Sequence, residues 1–112
     1  MIRLTVDGTP LTLHGKVAVL RWAKVHGLTL GSQVFVAAPL RTVSAMLLAH
    51  ELRHVQQYAA LGWARFLWRY AREWWQHGYG PAMPLEADAM AYAAARHADP
   101  DVQAAVRLLE AT

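Results

Sequence analysis

Residues 47–58 read "LLAHELRHVQQY". His50 and His54 stand four apart with Glu51 between them. A helix turns about 100° per residue, so positions four apart differ by about 40° and lie roughly 6 Å apart along the axis. Both imidazoles therefore project from one face and can reach one ion. Glu51 sits beside the pair without joining it, where a carboxylate can take a proton from a metal-activated water. Composition alone would place His-Glu-x-x-His in roughly one shuffled chain in a hundred, by counting on the motif. The context sharpens the reading. Val43, Met46, Leu47, Leu48, Leu52 and Val55 make this segment apolar on nearly every side, as expected of a helix in the middle of a domain. A histidine buried there without a partner would cost on the order of 1–3 kcal/mol, a penalty that metal coordination removes.

Outward from this helix, the pattern runs from a cap at Thr42 to about Ala60, with Gly62 as the stop. Upstream, "IRLTV" alternates with period two and ends at Asp7-Gly8, so it reads as a strand and turn with "LTLH" returning. "KVAVLRWAKVH" fits a helix through Val17, Leu20 and Ala23, although its β-branched residues also suit a strand. "LTLGSQVFVAA" is two apolar runs around Gly31-Ser32, a hairpin that Pro39 ends. Downstream, a second helix spans Trp63 to about Gln76, with Trp63, Phe66, Leu67, Tyr70 and Trp74 as its apolar stripe. "HGYGPAMP" is a loop. Pro84 opens a third helix, "PLEADAMAYAAARH", and Asp99-Pro100 opens a fourth, "DVQAAVRLLEA". These elements predict one α+β domain over residues 1–112: a short, mainly antiparallel sheet packed on a central active-site helix, with further C-terminal helices.

Composition bounds the chemistry. The 112 residues contain no cysteine, which excludes disulfides, a thiolate zinc site and a cysteine nucleophile together. Any metal must be held by His, Asp or Glu. Two imidazoles and a carboxylate suit Zn²⁺. Hydrophobic residues make up 55%, so the chain is expected to fold. The net charge of +3 comes without a Lys/Arg run, and no nucleic-acid partner is expected. "MIRLTVDGTP" does not read as a secretory signal, and arginines interrupt the longest hydrophobic region, Trp63–Trp75. The expectation is a cytoplasmic, non-transmembrane protein.

The third ligand must come from downstream. Gln57 and Ala60 occupy the places where a further histidine would extend the motif, which leaves Glu86 and Asp88. These two differ by about 200° around a helix, so only one of them faces the ion. His77 and Tyr79, in the loop before Glu86, are candidate donors to a developing oxyanion. His14, His26 and His97 fall at the ends of elements, as solvent-facing or capping residues. Arg65, Arg69 and Arg72 share a face of the second helix, near Trp68 and Trp75. That face can take an acidic partner, a membrane surface or a dimer contact.

"AHELRHVQQ" followed by "PLEADA" resembles the gluzincin class of zinc metallopeptidases, and in particular the small single-domain minigluzincins. Their pattern is G-x-x-I-F-V, then L-x-x-H-E-x-x-H-x-x-Q, then N-P-x-E-x-x-A. Here "GSQVFV", "LLAHELRHVQQ" and "MPLEADA" supply these pieces in order. Met83 stands where the pattern has Asn, and Met90 where thermolysin-like proteins have Asp. The resemblance implies a zincin-like fold, zinc held by His50, His54 and Glu86, Glu51 as general base, and peptide-bond hydrolysis. It also implies that a peptide or protein substrate binds along the 33–38 strand. Asp88 is left to orient a histidine. With one lobe only, the isolated chain is expected to be latent or weakly active, the fourth helix or the loop "QHGYGPAM" shielding the metal. The rival expectation is a non-catalytic zinc-binding scaffold or interaction domain that keeps the fold.

Overall fold

A computed structural model describes residues 1–112. The chain begins with a hairpin. Strand β1 (Ile2–Val6) pairs antiparallel with β2 (Thr9–His14), Val6 opposite Thr9 and Ile2 opposite Leu13. Asp7 and Gly8 turn between them with φ of 52° and 71°, the doubly left-handed turn that matches strand twist. A short helix α1 (Ala18–Trp22) follows. It covers less of "KVAVLRWAKVH" than the periodicity predicts: Val17 is extended and Lys24 has a φ of 60°, so barely more than one turn fits between them. Strands β3 (Gly27–Leu30) and β4 (Gln33–Val36) form the expected hairpin about Gly31-Ser32.

The strand order is β1-β2-β4-β3, with β2 and β4 parallel and the other pairs antiparallel. This corrects the expectation that the 33–38 strand offers its backbone to a substrate. β4 is paired on both sides; the edge strands are β1 and β3. The bond from Ala37 N–H to the His26 carbonyl fixes the phase of the β3–β4 ladder. Gly27 and Thr29 therefore turn their backbone N–H and C=O groups away from β4.

A single 3₁₀ turn, Leu40–Thr42, leads into helix α2 (Ala45–Leu61). The cap is Ser44, whose hydroxyl accepts from Leu47 N–H, and not Thr42. Thr42 donates to the Pro39 carbonyl at 2.7 Å, which closes the 3₁₀ turn and removes it from capping. Gly62, with φ of 80°, ends α2 and starts helix α3 (Trp63–His77) in one residue. Helices α4 (Pro84–Arg96) and α5 (Pro100–Glu110) each begin at a proline, which needs no backbone donor there.

The main core lies between one sheet face and α2 and α5. Leu13, Val34 and Val36 meet Leu48 and Leu52 of α2 and Leu109 of α5. A second, smaller cluster joins Tyr58, Phe66 and Leu85 of α2, α3 and α4. The expected apolar stripe of α3 is mostly uncovered: of its fifteen residues only Phe66 and Glu73 are buried.

Gly31 tests how the β3–β4 hairpin seats α3. A Cβ there would stand 2.6 Å from the Trp63 ring, and φ is already +65°. Gly8 has a similar φ of +71° with nothing nearby. Gly8→Ala should destabilise by about 1–2 kcal/mol, the cost of a left-handed L-residue. Gly31→Ala should cost at least about 1 kcal/mol more, from overpacking against Trp63. Urea unfolding of both variants checks the difference; equal losses would mean that Trp63 does not press on the turn.

Candidate metal centre

The helical spacing of α2 puts His50 and His54 one above the other, with ring centroids 4.9 Å apart. Pro84 starts α4 so that Glu86 falls in its first turn, facing them. The Nε2 atoms of both histidines stand 3.0 Å from one oxygen, Oε1 of Glu86. The three ligand atoms lie within 4.8 Å of one another. His54 and Glu86 are buried, whereas His50 keeps 21% of its side chain exposed and forms the open side. Of the two acids left open by the sequence, Glu86 is therefore in the cluster. Asp88 points elsewhere, receiving two hydrogen bonds from Arg53 at 2.8 and 3.3 Å.

The surrounding groups orient the cluster. Gln57 donates its amide to the Leu85 carbonyl and to Asp88 Oδ2, at 3.0 and 2.9 Å. Its own carbonyl then faces His54 Nδ1 at 2.8 Å, so Nδ1 carries a proton and Nε2 is the atom turned to the cluster. Asp88 thus acts on a histidine only through Gln57. Tyr70 donates its hydroxyl to Glu86 Oε2 at 2.6 Å. Burial alone would raise the Glu86 carboxyl, but the bonds from His50, His54 and Tyr70 outweigh it and hold the group well below the usual carboxylate range. Burial and the Glu86 carboxylate push the Tyr70 phenol far above its ordinary value, so it stays a donor. Burial opposes protonation of His54, yet Glu86 and Glu51 raise it overall. Glu73, buried on α3, accepts from Leu85 N–H at 2.7 Å and from Arg69 at 2.8 Å, and so pins the start of α4.

Glu51 is also buried, with Thr29 donating to its Oε2 at 2.7 Å. A Cβ at Gly27 would lie 2.9 Å from Glu51 Oε1, so β3 makes room for this carboxylate at one residue and orients it two residues later. A cleft of about 410 Å³ opens over the cluster. Val25, Leu28 and Leu30 line one side and Phe66, Leu67 and Trp74 the other; His50, Glu51, His54 and Glu86 form the polar floor. Tyr79 lines the cleft, whereas His77 does not. The expected shield by the C-terminal helix is not found. Val102, Ala105, Val106 and Leu109 bury α5 in the main core, and none of it lines the cleft.

Sequence reasoning missed Tyr70, Thr29, Gln57 and Glu73. Gln57 carried a signal, since it follows His54 by three residues on the same helix face. Tyr70 sits on an apolar stripe and reads as packing, and only its hydroxyl hints at a second use. The donor chemistry fits a metal. With Nδ1 committed to Gln57, His54 meets the Glu86 oxygen through Nε2 alone, a contact that needs a proton there, and a cation can take that proton's place between the two histidines and the carboxylate. His50, His54 and Glu86 can together hold one metal ion.

Fold and site together define a small α+β domain with a His-His-Glu cluster, able to hold a metal ion, at the foot of an open cleft. Residues 16–62 match the family model of the eCIS core domain, a stretch of less than half the chain. It takes in α1, β3, β4 and α2, hence both histidines and Glu51, and stops before Tyr70 and Glu86. No curated protein and no solved structure matches the chain.

The ligand assignment orders three variants. Glu86→Ala should weaken metal binding at least about 100-fold, and Gln57→Leu about 10- to 100-fold by freeing the His54 ring. Asp88→Ala, one bond further out, should cost less than about tenfold. Competition with a chromophoric chelator measures all three. A larger loss for Asp88→Ala than for Glu86→Ala would move the ligand.

Proposed function

We propose that the chain is a zinc-dependent peptidase of the gluzincin type, in which His50, His54 and Glu86 hold the zinc and Glu51 is the general base. One observation carries this reading. A buried carboxylate that is not a ligand, Glu51, stands directly beside the His-His-Glu cluster on the floor of a cleft open to an unpaired strand edge. A site that only stored metal has no use for that second carboxylate.

Zinc, when bound, acidifies water and polarises a carbonyl. The remaining work falls to the chain. The outward N–H and C=O groups of Gly27 and Thr29 hold an extended peptide as an added strand. The apolar walls favour a bulky apolar or aromatic side chain beside the scissile bond. Glu51 takes the proton of the attacking water and delivers it to the leaving amine nitrogen, and the hydroxyl of Thr29 fixes its rotamer. Tyr70 is already committed to Glu86 and keeps that ligand in place. Of the two oxyanion donors considered, Tyr79 faces the cleft. Burial, with Glu86 and Glu51 nearby, pushes its phenol upward and keeps its proton available for donation.

The test separates zinc from turnover. Wild type and Glu51→Gln should each carry one zinc per chain by elemental analysis. Cleavage of unstructured peptides rich in apolar residues should fall about 10²- to 10⁴-fold in Glu51→Gln, the usual worth of a general base. Equal cleavage by both forms, above a metal-free control, removes Glu51 from its role. Zinc in both with cleavage in neither makes the chain a non-catalytic zinc scaffold.

A further inference from the structure

Helix α3 is held by little and offers much. At 100° per residue, Trp63, Trp74, Leu67, Ala71, Trp75 and Trp68 follow one another over about 140° of its circumference. Their exposure is high, with Trp68 at 67% and Trp75 at 90%. Arg65 and Arg72 border this sector, both exposed and neither in an ion pair. The one carboxylate of α3, Glu73, is turned inward and buried. The helix thus presents tryptophans and free cations together, with no acid among them. Four exposed tryptophans on one helix face are a patch that a surface does not leave uncovered.

Helix α1, just before the Val25 that lines the cleft, repeats the chemistry. Trp22 is 85% and Val19 62% exposed, and Lys16, Arg21 and Lys24 beside them are exposed too. No acidic residue occurs between Asp7 and Glu51. The exposed acids lie on other elements: Asp7 and Asp101 meet where β1 turns against α5, Glu110 ends α5, and Asp88 lies on α4.

We propose that this face docks on an anionic lipid surface, with Trp68 and Trp75 at the boundary between headgroups and acyl chains and Arg65 and Arg72 against phosphates. Charge complementarity selects the occupant. A second copy would bring Arg65 and Arg72 of both chains together with no carboxylate to pair them. An acidic protein needs pockets for its anchors, whereas α3 is a convex ridge whose indoles combine an apolar body with a polar N–H, the chemistry of the membrane interface. No helix is long and apolar enough to cross a membrane, so attachment is to the surface. The same ridge forms a wall of the metal cleft, so docking sets the cleft at the lipid boundary. This inference does not depend on the peptidase reading.

Sedimentation with vesicles tests it, with tryptophan emission as a second signal. Wild type should bind vesicles of phosphatidylcholine mixed with phosphatidylglycerol, shift its emission to the blue, and release in high salt. Arg65→Gln with Arg72→Gln should lower partitioning about 30-fold, roughly 5-fold per arginine. Trp68→Ser with Trp75→Ser should abolish the blue shift while circular dichroism stays unchanged. Each contrary result overturns the proposal: no binding to mixed vesicles, equal binding to pure phosphatidylcholine, or full binding by both double variants. Binding to polyglutamate without vesicle binding assigns the face to an acidic polypeptide. Dimerisation that the tryptophan variant loses, without vesicle binding, assigns it to a second copy.

Discussion

The Glu86 carboxylate is the point on which three helices depend. It is buried, and a buried charge is tolerated only when its oxygens are fully engaged. One oxygen takes both histidines of α2, and the other takes the hydroxyl of Tyr70 on α3. The carboxylate itself rides on the first turn of α4, whose backbone is pinned by Glu73 from α3 and by Gln57 from α2. These groups are therefore not separately replaceable. Removing Glu86 leaves Nε2 of both imidazoles and the Tyr70 hydroxyl without partners in one stroke, and removing Glu73 frees the turn that aims Glu86.

The rest of the molecule divides according to what that site needs. The main core, where the sheet meets α2 and α5, is apolar and closed, and it fixes the helix that carries His50, Glu51 and His54. The cluster beneath the cleft holds only Tyr58, Phe66 and Leu85. Consequently the floor of the cleft is rigid, whereas its α3 wall is held mainly by polar anchors, Glu73 and Tyr70. Few buried apolar contacts mean a low cost of local opening, so α3 is the element that yields first when something enters the cleft.

The sequence was informative wherever chemistry depends on local spacing. The His-Glu-x-x-His motif, the stop at Gly62, the turn at Gly31 and the prolines opening α4 and α5 all follow from neighbours within a few residues. Glu86 was found as one of two acids, and the helix geometry that separates it from Asp88 by about 200° was enough to exclude both from serving together. What failed was pairing. Alternation identifies strands but not their neighbours, so nothing local revealed that β4 lies beside β2 and that β3 is an edge strand. Thr42 and Ser44 are both competent caps, and the 3₁₀ turn that claims Thr42 is set by Pro39. The α3 stripe was read as apolar, but periodicity reports a face and not what lies against it, and most of this one is uncovered.

The eCIS core match separates the site along the chain. Residues 16–62 hold the edge strand, the Gly27 and Thr29 that accommodate Glu51, and both histidines. These parts are mutually constrained: a side chain at Gly27 strikes Glu51, and a shift of α2 breaks the Thr29 bond. The third ligand, its tyrosine and the aromatic wall come from residues beyond that segment. There the constraint is looser, because Tyr70 and Glu73 anchor α3 at only two points and leave its outward face uncommitted. What can hold a metal and positions a carboxylate is therefore concentrated in the matched stretch together with Glu86. What meets the surroundings, through Trp68, Trp75, Arg65 and Arg72, lies on a helix whose sequence the metal centre barely restricts.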